Sequence, residues 1–254
     1  MLHRRRALSA GVGLLGMLIL ASAAWPADVH LPGVDITLGS SGQPATQVAS
    51  ALKIFLALTV LSLGPAILIA LTSFTRIIIV LSMLRHALGM QETPPNIVLI
   101  SLTLFLTLFV MMPVVKQVGD QAWRPFTKGE LDAGQALDKA MVPLRDFMIR
   151  QTREQDMALM VEISHSPVPQ AAEEVSSVQL IPAFMLSELK SAFQIGFVIF
   201  LPFLLIDLLV SSVLMSMGMF MVPPVVISLP IKVLMFVLID GWNLVVRSIL
   251  GSFH

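Results

Sequence analysis

The chain has 254 residues, of which 56% are hydrophobic and only 13% are charged, and its mean hydropathy is +0.87. A soluble domain carries about 25% charged residues, so this composition indicates a membrane protein or a subunit of a very apolar assembly. The formal net charge is zero, which gives no electrostatic basis for nucleic-acid binding. Cysteine is absent, which excludes disulfides and thiolate metal sites.

The N-terminal 24 residues have the pattern of a cleaved signal peptide. Arginines at positions 4–6 form a basic start, residues 12–20 form a short apolar core, and small residues at 21–24 predict cleavage after position 23 or 24. The alternative is an uncleaved membrane helix, although spanning needs about 20 apolar residues. Residues 25–50 contain many helix breakers and are predicted to form a loose extracytoplasmic segment.

Residues 51–115 are predicted to form a first apolar helical hairpin. Its two uncharged runs, 54–75 and 97–115, are each long enough to cross a membrane. The Gly64-Pro65 step is expected to break or kink the first of these helices, because proline lacks a backbone donor and clashes with the preceding turn.

The turn of this hairpin is predicted to be basic. The first helix is expected to continue through Arg76 and Arg85, which outnumber Glu92 in the turn. Positive charge favours the cytoplasmic side. The N-terminus and residues 116–181 are therefore expected on the periplasmic side.

Residues 116–181 are predicted to form a small polar helical module, because residues 116–190 hold 19 of the 32 charged side chains. Between positions 134 and 155, apolar residues recur at helical spacing opposite charged ones, which fits either a partner-binding helix or a solvated face. Glu162 and His165 have the Glu-x-x-His spacing of a carboxylate metal site. Such sites need a second copy of the motif, which the chain lacks, so no metal site is predicted.

Residues 182–254 are predicted to form a second apolar hairpin, from runs at 192–216 and 225–246. No strand pattern is visible, and in lipid only helices satisfy the backbone of such segments. The predicted fold is therefore all-α, with four apolar helical segments and one polar module. If the hairpin folds back at Met219–Phe220, Asp207 and Lys232 lie level and can form an intramembrane ion pair. The alternative is that each faces a different neighbour.

The second hairpin carries a dense set of sequence motifs: Pro182-Ala183-Phe184, Ser187-Glu188-Leu189, 192–197, 202–207, 217–219, 222–224, 227–232 and 240–242. These motifs resemble the signatures of the FliP family of flagellar and type III secretion export-gate proteins. The signature positions are Pro182, Phe184, Glu188, Phe193, Gly196, Pro202 and Asp207. The resemblance extends from about residue 50 to the C-terminus.

The resemblance implies a core subunit of the flagellar export gate in the bacterial inner membrane, within the flagellar basal body. Several FliP copies would assemble with FliQ and FliR into a cone-like channel for unfolded flagellar proteins, with FlhB joining and FlhA beneath. In that family, much of the apolar hairpins is raised out of the bilayer plane.

Met219, Phe220 and Met221 lie in the predicted turn of the second hairpin. By composition, this run fits plain packing. The family carries a methionine-rich loop here that seals the channel as a gasket, often with three methionines where this chain has Phe220 in the middle. Flexible thioethers can yield to a chain of any sequence, and a narrow apolar ring dewets and blocks ions when it is empty.

No catalytic or cofactor motif is visible, so the sequence predicts neither an enzyme nor a bound cofactor. One alternative function is the injectisome homologue that exports virulence effectors, whose members usually lack a cleaved signal. The other is a small secondary transporter or ion channel, which would need polar groups around an intramembrane site.

Overall fold

The fold is all-α, as predicted, and the computed structural model describes residues 30–31, 34–35, 44–165, 169, 171 and 174–253. The helices are α1 (Pro44–Leu71), α2 (Phe74–Ala87), α3 (Asn96–Val118), α4 (Arg124–Thr127), α5 (Ala133–Gln151), α6 (Glu154–Ile163), α7 (Ser177–Ser216), α8 (Pro224–Leu238) and α9 (Gly241–Leu250). A wide π-helical turn, Gly119–Trp123, joins α3 to α4. The predicted signal peptide lies outside the described residues.

Two very short strands were not predicted. β1 (His30–Leu31) and β2 (Val34–Asp35) pair antiparallel, with His30 opposite Asp35. Two residues are too few to show the alternation of apolar and polar side chains that identifies a strand in a sequence. The chain divides into two compact units, residues 1–63 and 64–254, and the sites described below all lie in the second unit.

The first apolar helix, α1, continues through Gly64 and Pro65, so of the predicted break or kink the break is wrong. One proline removes only one backbone hydrogen bond, and the residues on both sides of it remain helical. The helix ends instead at Leu71. The hydroxyl of Thr72 donates to the carbonyl of Leu68 over 2.8 Å, a local bond of the kind that competes with continued helix.

A separate helix, α2, follows the break at Thr72 and Ser73 and forms the centre of the larger apolar core. Its buried face packs against α3, α7, α8 and α9 through residues that include Ile77, Val80, Leu81, Leu84 and Ala87. The chain leaves α2 at Gly89, whose φ of +80° favours glycine.

The second helix of this hairpin, α3, is longer than predicted. The helical path continues past residue 115 through the π-helical turn to Thr127, into the segment assigned to the polar module. A bond between Arg124 Nη1 and Asp120 Oδ1 (2.6 Å) spans the π-helical turn.

The polar module contains α5 and α6 rather than one helix through residue 155. A capping box between Asp132 and Gln135 starts α5, and an extended step at Thr152–Arg153 separates the two helices. Phe147 and Met148 on α5 are buried and belong to a second apolar core, which also contains Leu180 and Phe184 of α7. The Phe147 ring lies 5.9 Å from that of Phe184 on α7.

The longest helix, α7, starts at a capping box on Ser176 and continues through Pro182 and Pro202. Its 40 residues span about 60 Å at 1.5 Å per residue, whereas the hydrocarbon core of a bilayer is about 30 Å thick. The N-terminal part of α7 packs on the polar module, and the remainder packs on the apolar helices.

The predicted fourth apolar run is not one helix. It divides into α8 and α9, which meet at 68°. Asp240 between them has a left-handed φ of +51°, a conformation that aspartate tolerates better than most residues. A Cβ on Gly241 would lie only 2.8 Å from Phe236 Cγ, so this tight corner requires glycine. By length and composition, three described helices could cross a membrane, or four segments if α8 and α9 form one bent span.

Candidate functional site

The seven signature positions all lie on α7, where they divide between two surfaces. Phe184, Glu188 and Gly196 are buried against other helices, and Asp207 is half-buried. The remaining three are exposed: Pro182, Phe193 and Pro202. Some signature side chains of α7 therefore pack inside the protein, and others lie on its surface.

Glu188 forms a buried ion pair with Arg76 of α2. Arg76 Nε donates to Glu188 Oε2 over 3.0 Å, and Arg76 Nη2 contacts Glu188 Oε1. The two side chains are 3% and 0% exposed. This is the two-pronged geometry in which a guanidinium matches a carboxylate, and it compensates two charges that would each be costly to bury alone.

The other donors of Arg76 hold two further parts of the fold. Nη1 donates to the carbonyl and the hydroxyl of Ser252, at 2.8 and 3.0 Å, and Nη2 donates to Gln151 Oε1 at 3.2 Å. The guanidinium carbon also lies 4.0 Å from the ring centre of Phe253, within cation–π range. One cation thus joins α2, α5, α7 and the residues after α9.

This position corrects the prediction that Arg76 belongs to a basic turn. Arg76 lies in the first turn of α2, while the last turn of α2 carries Arg85 and His86. The positive charge that was used to assign the turn of the first hairpin to the cytoplasmic side therefore no longer includes Arg76. A single arginine in an otherwise apolar run indicates a buried charge that needs a partner. The sequence could not identify that partner, because Glu188 is 112 positions away.

A second polar network connects the polar module to the start of α7. The hydroxyl of Ser187 donates to Asp156 Oδ2 (2.7 Å), Lys190 Nζ donates to Asp156 Oδ1 (2.8 Å), and the backbone N–H of Arg153 donates to the Ser187 hydroxyl (3.0 Å). Burial raises the pKa of Asp156. The hydrogen bonds from Lys190 and Ser187 and the nearby positive charges outweigh this effect, so the pKa lies below its ordinary 3.8.

Asp207 and Lys232, the predicted charge pair, lie side by side on α7 and α8. Lys232 Nζ is 2.6 Å from Asp207 Oδ2 and also donates to the carbonyl of Ala87 at the end of α2, at 3.0 Å. The side chain of Lys232 is 5% exposed and that of Asp207 is 34% exposed. Three helices therefore meet at this ammonium group.

Gly196 on α7 packs against the side chain of Met83 on α2. A Cβ at this position would lie 2.9 Å from Met83 Cε and 3.2 Å from Met83 Cβ, and would overlap the sulfur. A side chain here would therefore require the Met83 side chain to move, which gives a physical reason for glycine at this signature position.

The loop between α7 and α8 holds Met219, Phe220 and Met221, the predicted gasket residues. A Schellman motif anchors the start of the loop: Gly218 N–H donates to Met215 O and Met219 N–H to Leu214 O, each at 3.0 Å. Phe220 and Met221 are 78% and 96% exposed. The loop thus holds large apolar side chains away from the rest of the chain, as far as the structure describes it.

Within the described residues, no group of three or more His, Cys, Asp or Glu side chains is placed to bind a metal ion. The buried charges are instead paired with opposite charges and hydrogen-bonded across helices. The buried ion pairs hold the helices together, and the loop that contains Met219, Phe220 and Met221 lies outside the core.

The sequence model of the FliP family matches residues 57–249. The chain is 50% identical over 241 residues to the flagellar biosynthetic protein FliP of Pectobacterium carotovorum subsp. carotovorum, which covers 94% of this chain and 91% of that protein. It is 49% identical over 218 residues to the Bacillus subtilis (strain 168) protein of that name, which covers 86% of this chain and 98% of the relative. The Aquifex aeolicus (strain VF5) protein is 40% identical over 227 residues, with 89% and 93% coverage.

Proposed function

The chain belongs to the FliP family, and on this premise we propose that it forms, with further copies of itself and with FliQ and FliR, the channel of the flagellar type III export gate. Its role in flagellar biosynthesis as a membrane component of the export apparatus follows from the family, which is not a family of enzymes. FlhB, FlhA and unfolded flagellar proteins are the further proposed partners.

The observation that carries this proposal is the outward-facing apolar loop at Met219, Phe220 and Met221. A contiguous exposed apolar patch marks a surface that contacts a partner or a membrane, and these three consecutive side chains form such a patch. In a ring of copies, the loops would converge on the central hole and close it. Thioethers are flexible, so such a seal can open for an unfolded chain, while an empty apolar constriction dewets and blocks ions.

The test replaces Met219, Phe220 and Met221 together with alanine. We expect the complex with FliQ and FliR to assemble, and the membrane to become permeable to small dyes and ions. The matched control replaces Val225 and Val226, exposed apolar residues in the first turn of α8, with alanine. If both variants assemble and conductance stays at the parental level in both, the loop does not form the seal.

We propose that the protein lies in the inner membrane with residues 116–181 in the periplasm. Arg85, close to the turn of the first hairpin, supports this orientation, since lysine and arginine favour the cytoplasmic side. Alkaline phosphatase fused at Gly129, in the exposed turn between α4 and α5, should be active, and a fusion at Met90 should be inactive. The opposite activities would reverse the orientation.

The flagellar assignment is favoured over the injectisome by the relatives, which carry flagellar names. Restoration of swimming in a flagellated host that lacks its own FliP would support it, and secretion of virulence effectors without swimming would oppose it. Co-purification separates the export gate from a secondary transporter, because a transporter should fold and act without FliQ and FliR.

A further inference from the structure

An apolar cavity of about 280 Å3, open on one side, lies beside the turn between α2 and α3. Its walls come from the end of α2, the first turn of α3, the second half of α8 and the start of α9. The principal lining residues are Leu81, Leu84, Leu88, Leu99, Phe236 and Trp242.

Arg85 is the one charged residue that lines this cavity. Its Nη1 donates to Asn96 Oδ1 (2.6 Å) and to the carbonyl of Pro94 (3.3 Å), while its Nε is buried and has no hydrogen-bond partner. Arg85 forms no ion pair with any residue that the structure describes. The Arg85 side chain is only half-buried, so its positive charge remains accessible at the mouth of the cavity and would attract an anion.

We propose that this cavity binds one acyl chain of an anionic phospholipid, with the lipid phosphate at the Arg85 guanidinium. The apolar walls match a hydrocarbon chain, and the half-buried guanidinium of Arg85, which forms no ion pair with a described residue, matches a phosphate group. The ligand must therefore combine one negative charge with one apolar chain, as an anionic phospholipid does.

The position of the cavity along the chain also fits a lipid. The second candidate membrane span begins at Asn96. Where this span crosses a bilayer, the turn that carries Pro94 would lie at the level of the lipid headgroups. Trp242 lies on the wall of the cavity, and tryptophan and arginine are typical of this interfacial level. Basic pockets between membrane helices are a known mode of headgroup binding.

The experiment measures quenching of Trp242 fluorescence by lipids that carry bromine on the acyl chain. Replacing Trp25 and Trp123 with phenylalanine leaves Trp242 as the sole tryptophan of the three. The full-length chain, in an uncharged detergent, is titrated with brominated phosphatidylglycerol or brominated phosphatidylcholine. We expect half-quenching at about a fivefold lower concentration of phosphatidylglycerol, since one basic residue at an anionic surface contributes about 1 kcal/mol.

Two charge variants test the role of Arg85. Arg85→Gln is expected to remove the preference for phosphatidylglycerol, whereas Arg85→Lys should keep most of it. Arg247→Gln, which removes an exposed charge on α9, is the control and should leave the preference unchanged. Equal quenching by the two lipids in the parent, or an unchanged preference in Arg85→Gln, would overturn the proposal.

Two size variants test the cavity itself. Val233→Phe fills the space and should weaken quenching by both lipids, while Val226→Phe, on the same helix but outside the lining, should not. If Val233→Phe does not fold, the Arg85 variants decide the question. Loss of quenching on adding FliQ and FliR, with lipid still in excess, would show a subunit contact instead. The readout is lipid binding, so it does not depend on export activity.

Discussion

The ion pair between Arg76 and Glu188 allows the sharpest test of how this fold is held together. In Glu188→Ala, the guanidinium stays 3% exposed but loses its counter-charge, while its bonds to Ser252 and Gln151 remain. Breaking one partner of a buried pair costs about 3–5 kcal/mol. For a chain of this size, about 1 kcal/mol shifts the melting temperature by roughly 2–4 °C, so we expect a decrease of roughly 6–20 °C.

Glu188→Gln separates charge from hydrogen bonding. The amide oxygen can still accept from the guanidinium, so this variant should melt between the parent and Glu188→Ala. The double variant Arg76→Met/Glu188→Leu removes both the guanidinium and the carboxylate. It should nevertheless be more stable than Glu188→Ala, because it leaves no unpaired charge buried.

The assay is thermal unfolding of the purified chain in detergent, followed by circular dichroism of its helices. Arg124→Ala is the matched control, because it breaks an ion pair of 2.6 Å whose side chains are 73% and 60% exposed. Such pairs contribute about 0–1 kcal/mol. Melting of Glu188→Ala at the same temperature as Arg124→Ala would refute the reasoning, since burial would then make no difference to the pair.

Three further changes follow from single contacts. Gly196→Ala should cost about 1–3 kcal/mol by overpacking against Met83, and Met83→Ala in the same chain should restore the melting temperature; no restoration would point to another cause. The pKa of Asp156 is lowered by folding, so its stabilisation is complete above the ordinary pKa of 3.8 and is lost as the pH falls through the lower folded-state pKa. Unfolding measured against pH should therefore show a smaller loss in Asp156→Asn than in the parent, and equal losses would argue against this role. Asp207→Ala and Lys232→Ala should each abolish swimming, and the charge-swapped double variant should recover part of it, unless each residue serves a different neighbour.

Local features of the sequence were enough to predict the fold class and the turn between α7 and α8. Uncharged runs of this length can be satisfied only as helices in an apolar medium, and the segment around Gly218 and Pro223 marks a turn. In a helical hairpin, residues that are equally far in sequence from the turn lie side by side. Counting residues from the turn therefore predicts that Asp207 and Lys232 are neighbours. The structure has their charged atoms 2.6 Å apart.

Contacts between residues that are far apart in the sequence were visible only in the tertiary structure. Arg76 and Glu188 are 112 positions apart, and no local rule gives the packing of α2 against α7 that brings them together. The 68° corner at Asp240 likewise depends on close packing between Gly241 and Phe236, although the hydropathy of the segment favours one straight helix. Hydropathy and spacing report the environment of each segment, whereas the partner of a buried charge is set by which helices pack together.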